Sequence, residues 1–300
     1  MTSPEQLPTA LANPIISLPT FFHRDGRHDL DSLQQTVEFV IGHNFPTLLL
    51  TAGDSGYELQ SEAEIRTVAR VVVEAAAGRA TVVVGTALQW WREQILDFAT
   101  YVDELGASVM VLGPAISLAE SANFEDPVFD LYRAVDERVN CGIVLNGQFS
   151  MTLLKRLADL PKVVGLKEDA GDAWCHEALY AVGDRLSVFN GGQKWRFLYG
   201  VLWGMKGYMT SFGPWAPQVS QRLWAAVQGK DLFAAAKIVD AYDNPYFDHS
   251  IGHAKGFFAV QQACYEVFGR GPRWMRPPQP SLDDEEMDAL RQVFVAMHLL

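Results

Sequence analysis

Eight short apolar runs, each followed by a longer amphipathic segment, pattern this chain between residues 15 and 225. They are Ile15 to Leu18, Thr47 to Leu50, Thr81 to Val84, Val109 to Leu112, Gly142 to Leu145, Val163 to Leu166, Leu186 to Phe189 and Gly207 to Thr210. Runs such as Thr-Leu-Leu-Leu and Thr-Val-Val-Val do not alternate apolar with polar, so they read as strands buried on both faces, the mark of a parallel sheet. Segments between them, including Leu30 to Ile41, Glu62 to Ala76 and Trp91 to Leu105, carry apolar residues at helical spacing. Eight strand-helix units predict an α/β fold of the closed (β/α)8 TIM-barrel type. The alternative, an open doubly wound sheet, normally has a glycine-rich turn after its first strand, where this chain has Pro-Thr-Phe-Phe-His.

Some 90 residues follow the eighth run, more than one closing helix needs. Helical patterns at Leu232 to Ala241, His253 to Phe268 and Asp283 to His298 make residues 226–300 a C-terminal helical extension to a barrel of residues 1–225. Ser281 is the expected N-cap of the last helix, with Asp283 to Glu286 suited to its first turn.

Composition excludes several function classes. The 24 Lys and Arg against 36 Asp and Glu leave a net charge of -12, which repels nucleic acid and anionic membranes. No stretch approaches the ~20 apolar residues of a membrane span. Cys141, Cys175 and Cys264 form no CxxC and support neither a disulfide framework nor a zinc site. His249 and His253 are spaced i, i+4 with no third ligand at a recognised spacing, so no metal site is expected. The segment MTSPEQLPTALANP lacks the basic and apolar regions of a signal peptide, and a cytoplasmic location is expected.

In a barrel the chemistry sits just after the strands. Lys167 follows Val163-Val164-Gly165-Leu166, where partial desolvation favours the neutral, nucleophilic amine used in Schiff-base chemistry. The same position also suits a lysine that packs its stem on the barrel and pairs with Glu168. Thr51-Ala52-Gly53-Asp54-Ser55 follows the second run and offers hydroxyl and backbone donors for a carboxylate, or serves as an ordinary loop leading to an N-cap at Ser61. Glu168, Asp169 and Asp172 either line the barrel mouth or solvate a loop, and the loop is the simpler reading. Trp90, Trp91, Trp195, Phe197, Trp203 and Trp215 read as barrel-wrapping or subunit-contact residues.

Taken in order, Pro19-Thr20-Phe21-Phe22 with Asp25-Gly26 and Asp29, Thr51 to Ser55, Val164 to Glu168 with Gly171-Asp172, Gly207 to Ser211, and Arg276-Pro277-Pro278 resemble the dihydrodipicolinate synthase and N-acetylneuraminate lyase family over nearly the whole chain. The resemblance implies a (β/α)8 barrel that is a homodimer or homotetramer, with an imine formed between Lys167 and a 2-oxo acid or keto-sugar acid, without metal or organic cofactor. It implies substrate contacts at Thr51, Ala52, Gly53, Ser55, Leu145 and Met209. Leu145 and Asn146 then stand at the Tyr-Asn pair that ends the fifth strand, leaving leucine where the family has its proton-relaying tyrosine. Ala52 replaces a second hydroxyl, Ala115 and Ile116 replace tyrosines that reach a neighbouring subunit, and Gly147-Gln148-Phe149 lacks the arginine for a second substrate carboxylate. Tyr57, Tyr208, Ser55 and His23 are candidate replacements for the relay. Two readings follow: a Schiff-base lyase, aldolase or dehydratase, or a barrel that has lost turnover and binds a ligand or partner.

Overall fold

The computed structural model describes residues 7–113 and 124–300. Eight strands close a barrel in the order β1 to β8: Pro14–Ser17, Thr47–Leu50, Thr81–Gly85, Val109–Leu112, Gly142–Asn146, Val163–Glu168, Ser187–Asn190 and Gly207–Thr210. Neighbours from β2 to β8 pair in parallel. Every expected strand is present. β6 continues two residues beyond its apolar run and takes in Lys167 and Glu168.

The helices are α1 Leu7–Ala10, α2 Leu30–Gly42, α3 Glu62–Ala76, α4 Arg92–Leu105, α5 Glu125–Arg138, α6 Met151–Ala158, α7 Asp172–Val182, α8 Lys194–Val201, α9 Pro217–Gln228, α10 Leu232–Ile238, α11 Asn244–Gly252, α12 Phe257–Val267 and α13 Asp284–Ala296. Ser61 caps α3 reciprocally with Glu64, as its sequence indicates. The last helix departs from expectation. Its N-cap is Asp283, which exchanges hydrogen bonds with Glu286, while the Ser281 hydroxyl accepts from the Met275 amide at 2.8 Å. Asp283 is followed by Glu at N3, and that pairing satisfies two otherwise orphaned amides, which Ser281 cannot do.

Contacts divide the chain into two compact units. The first comprises Met1–Ile15, Pro46–Ala52 and Ala77–Met209. Its core gathers Ile15, Leu49, Val83, Val109, Val111, Val144, Phe189 and Met209 from seven strands, with Leu7 and Leu11 from the N-terminal segment. Helix α1 has too few residues for a periodic signal, and packing explains it. A Cβ at Gly142 would lie 2.8 Å from the Leu7 side chain, and one at Gly165 would lie 2.8 Å from that of Leu11. The two strand glycines make the room in which these leucines plug the barrel interior.

The second unit comprises Ile16–Phe45, Gly53–Ala76 and Thr210–Leu300. Its centre is aromatic: Trp215 contacts Phe212, Tyr246, Phe268 and Phe294 with ring centroids 4.5 to 5.6 Å apart. Arg276 ties its distant segments together, donating to Gly26 O at 2.6 Å, to Leu59 O at 2.9 Å and, as a two-pronged pair, to Glu64 at 2.7 and 3.0 Å. This explains why an arginine stands before Pro277-Pro278.

Candidate active site

Period two along β6 puts Lys167 and Glu168 on opposite faces. Gly165, two residues before Lys167, faces the Leu11 plug, so Lys167 shares the barrel interior with it. Glu168 points the other way into the helix layer, where it is fully buried and paired with Arg196 of α8 at 2.9 Å. It also accepts from the amides of Ala170 and Gly171 at 2.8 and 3.1 Å. Burial pushes its carboxyl above the ordinary range despite these partners. Glu168 is therefore a structural clamp on the β6 loop. Asp172 lies 3.6 Å from the same Arg196.

Asp169 behaves differently. Its carboxylate is ion-paired with Lys167 Nζ, with the lysine side chain 10% exposed and the aspartate 44% exposed. It lies against Gly191, where a Cβ would collide with the carboxylate. The sequence reading of Asp169 as a solvated loop residue is thus corrected: the turn after β6 swings it back over the amine. The alternative pairing of Lys167 with Glu168 does not form, because adjacent strand residues face opposite sides.

The same periodicity orients the end of β5. Asn146 pairs with Lys167 across the sheet, and Leu145 pairs with Leu112 and Leu166. Directly paired residues share a face, so Asn146 faces the interior beside Lys167 and Leu145 faces the helix layer, where it is fully buried. A Cβ on Gly113, whose face is that of Val111, would lie 3.5 Å from Asn146 Nδ2, which fits this orientation. Leu145, which the resemblance sets at the family's tyrosine, thus turns away from Lys167 in this structure. The interior position is filled by an amide.

Thr51 follows Leu49 at the same spacing and is buried near the β3 end, where a Cβ on Gly85 would meet Leu50 O at 2.9 Å and Thr51 Cα at 3.3 Å. Ala52 is also buried. Met209 lies in the apolar core with Phe189 and Ile15. Within the first unit the structure thus sets Thr51, Asn146, Lys167 and Asp169 at the C-terminal ends of their strands, with glycines at 85, 113 and 191 in the same layer. At two of these glycines the missing Cβ leaves room for a neighbouring side chain, Leu88 at Gly113 and Asp169 at Gly191. No spacing rule in the sequence marks Asn146 or Asp169, because their roles depend on register and on the turn.

In the second unit Gly53 lies under the ring of Phe258, with a Cβ position 3.3 Å away. Asp54 accepts a hydrogen bond from Ser17. The Ser55 hydroxyl donates to Leu18 O at 2.7 Å, so Ser55 serves the loop structure there. The candidate relay residues also find other work. Tyr57 is fully buried with its hydroxyl pushed above the ordinary range by burial. Tyr208 pairs with Asn190 on the helix-facing side and packs on Phe197 at 4.7 Å. His23 is exposed in the turn after β1. Ala115 and Ile116 lie outside the described residues. His249 and His253 have ring centroids 5.7 Å apart, and among the described residues no group of three His, Cys, Asp or Glu side chains is arranged to hold a metal.

A model of the dihydrodipicolinate synthetase family matches residues 10–297. The chain belongs to this family. Its relatives include a probable 5-dehydro-4-deoxyglucarate dehydratase of Rhizobium rhizogenes, 25% identical over 97% of both chains. A probable 5-dehydro-4-deoxyglucarate dehydratase 2 of Streptomyces avermitilis is 26% identical over 81% of this chain and 75% of its own. Among solved structures, dihydrodipicolinate synthase from Oceanobacillus iheyensis superposes with a TM-score of 0.87 at 18% identity, covering 99% of this chain and 100% of that one. N-acetylneuraminate lyase from Mycoplasma synoviae gives 0.81 at 17% identity over 94% and 96%. These structures confirm the barrel with its C-terminal helices, and the chain is a lyase of the dihydrodipicolinate synthetase family.

Proposed function

We propose that this lyase acts on a 2-oxo acid or keto-sugar acid through an imine at Lys167, and that dehydration of a keto-sugar acid is its reaction. The observation that carries the reading is a lysine, only 9% exposed, at the interior C-terminal end of β6 in a chain of this family. The names of the sequence relatives favour a dehydratase. Lys167 Nζ attacks the C2 carbonyl, the carbinolamine loses water, and the resulting iminium draws electrons from the adjacent carbon, so that a proton there is lost and a hydroxyl beyond it departs. Thr51 and the amides that follow it hold the substrate carboxylate, Asn146 supplies a hydrogen bond beside the amine, and Met209 and the small Ala52 contribute apolar lining. The protein's net charge of -12 gives an anionic substrate no help, so local donors supply its binding.

Borohydride reduction in the presence of a panel of 2-oxo acids, with peptide mass spectrometry, tests the reading. Label on Lys167, and loss of both label and turnover in Lys167→Ala, is the expected result; an unlabelled Lys167 across the panel overturns it. The alternative, a barrel that has lost turnover, rests on Ala52, Leu145, Ala115 and Ile116; label at Lys167 without product release favours it, and multiple turnover that is lost in Lys167→Ala excludes it. We also propose a cytoplasmic homodimer or homotetramer. Three free, buried thiols suit a reducing compartment. Tyr180 of α7 with Trp195, Tyr199, Leu202 and Trp203 of α8 and its C-terminal turn leaves large apolar side chains exposed for a subunit contact. Light scattering decides the assembly.

A further inference from the structure

We infer that Asp169 is the proton carrier for imine formation at Lys167. The inference rests on the imine reading and goes beyond it by naming the acid-base group. Beyond the proton that moves from nitrogen to oxygen within the adduct, imine formation needs two transfers with an outside group, one that frees the amine and one that turns the carbinolamine hydroxyl into leaving water. The interior residue on β5 beside Lys167 is Asn146, an amide that hydrogen-bonds but does not exchange protons as an acid or base near neutral pH. The carboxylate on Lys167 Nζ is that of Asp169. Of the other charges on this loop and on α8, Glu168 and Asp172 both face Arg196, and the buried Lys194 donates to Gly192 O. Gly191 on the loop after β7 leaves the space that Asp169 occupies, and nearly half of its side chain is open to water, through which it regains or releases protons.

The steps balance. The Asp169 carboxylate takes a proton from the Lys167 ammonium, giving a neutral amine and a carboxylic acid. The amine forms the N–C bond as the carbonyl π pair moves to oxygen, and a proton passes from nitrogen to that oxygen. Asp169 then gives its proton to the carbinolamine hydroxyl, the C–O bond breaks, and water leaves. The protonated imine faces a regenerated carboxylate, which stabilises it as it did the ammonium.

The test follows the time course of borohydride-trapped Lys167 in the full-length protein with pyruvate, 2-oxobutyrate and 2-oxoglutarate. It compares wild type with Asp169→Asn, Asp169→Glu and Lys167→Ala, each with its thermal midpoint measured. The Asn variant is expected to label about 10²–10⁴-fold more slowly, the usual worth of general acid-base assistance, and the Glu variant to recover part of that loss. The wild-type labelling rate should be bell-shaped in pH, while that of the Asn variant rises steadily as the amine deprotonates. A purely structural role would scale the rate and keep the bell. Wild-type rate and pH shape in Asp169→Asn overturn the assignment and leave the imine reading standing. Absence of label in wild type with every acid removes both. If the Asn variant does not fold, Asp169→Ser takes its place: a wild-type rate and pH shape in a side chain without a carboxyl overturns the assignment.

Discussion

A single Cβ position shows how closely Asp169 is placed. Gly191 has no requirement for positive φ, so alanine is tolerated by its backbone, yet the added methyl would occupy the volume of the Asp169 carboxylate. Gly191→Ala should therefore move Asp169 off Lys167 and lower kcat by at least about tenfold, with the chain still folded. Steady-state turnover on a keto-sugar acid beside a circular dichroism melt checks this, and wild-type turnover would show that the contact is dispensable. The place of Lys167 at the end of β6 is legible in the sequence, because an ionisable residue directly after four apolar positions stands out. It misjudged Asp169, because composition sees three neighbouring acids and only the turn separates the two that bind Arg196 from the one that returns to the amine.

Among the elements, β5 and α13 carry the lessons. Both were visible as patterns, and in both the detail of one or two residues mattered. In β5 the family resemblance sets Leu145 at the site, but side chains alternate between interior and exterior, and the register turns Asn146 toward Lys167 and Leu145 away. In α13 the cap moves from Ser281 to Asp283. Asp283→Ala removes an N-cap and should lower the urea midpoint by more than Ser281→Ala, which removes only the acceptor for the Met275 amide. Urea unfolding of both variants measures the difference, and a larger loss at Ser281 would contradict the cap assignment. The capping box Asp-x-x-Glu was legible in the sequence; the flanking prolines drew attention to the earlier serine.

For the whole molecule, pH dependence follows from the clamp between Arg276 and Glu64, residues 212 positions apart. The Arg276 hydrogen bond holds the Glu64 carboxyl down at about 2 from its ordinary 4.5, assisted by the Ser61 amide and hydroxyl. A lowered folded-state value means that the charged form is favoured in the native protein, so the stabilisation is complete above about 4.5 and is lost as pH falls through that window toward 2. Glu64→Gln should lower the thermal midpoint at pH 7 and flatten its decline between those limits, and scanning calorimetry across that range would register an unchanged slope if the clamp contributes nothing. The sequence by itself determined the eight-strand order, the C-terminal helices and the position of Lys167, because these depend on local periodicity and on an ionisable residue interrupting an apolar run. Tertiary structure alone decided which polar groups meet that lysine. Strand register, a turn that reverses one carboxylate, and glycines whose missing side chains leave it room are relations between distant segments, and no local pattern encodes them.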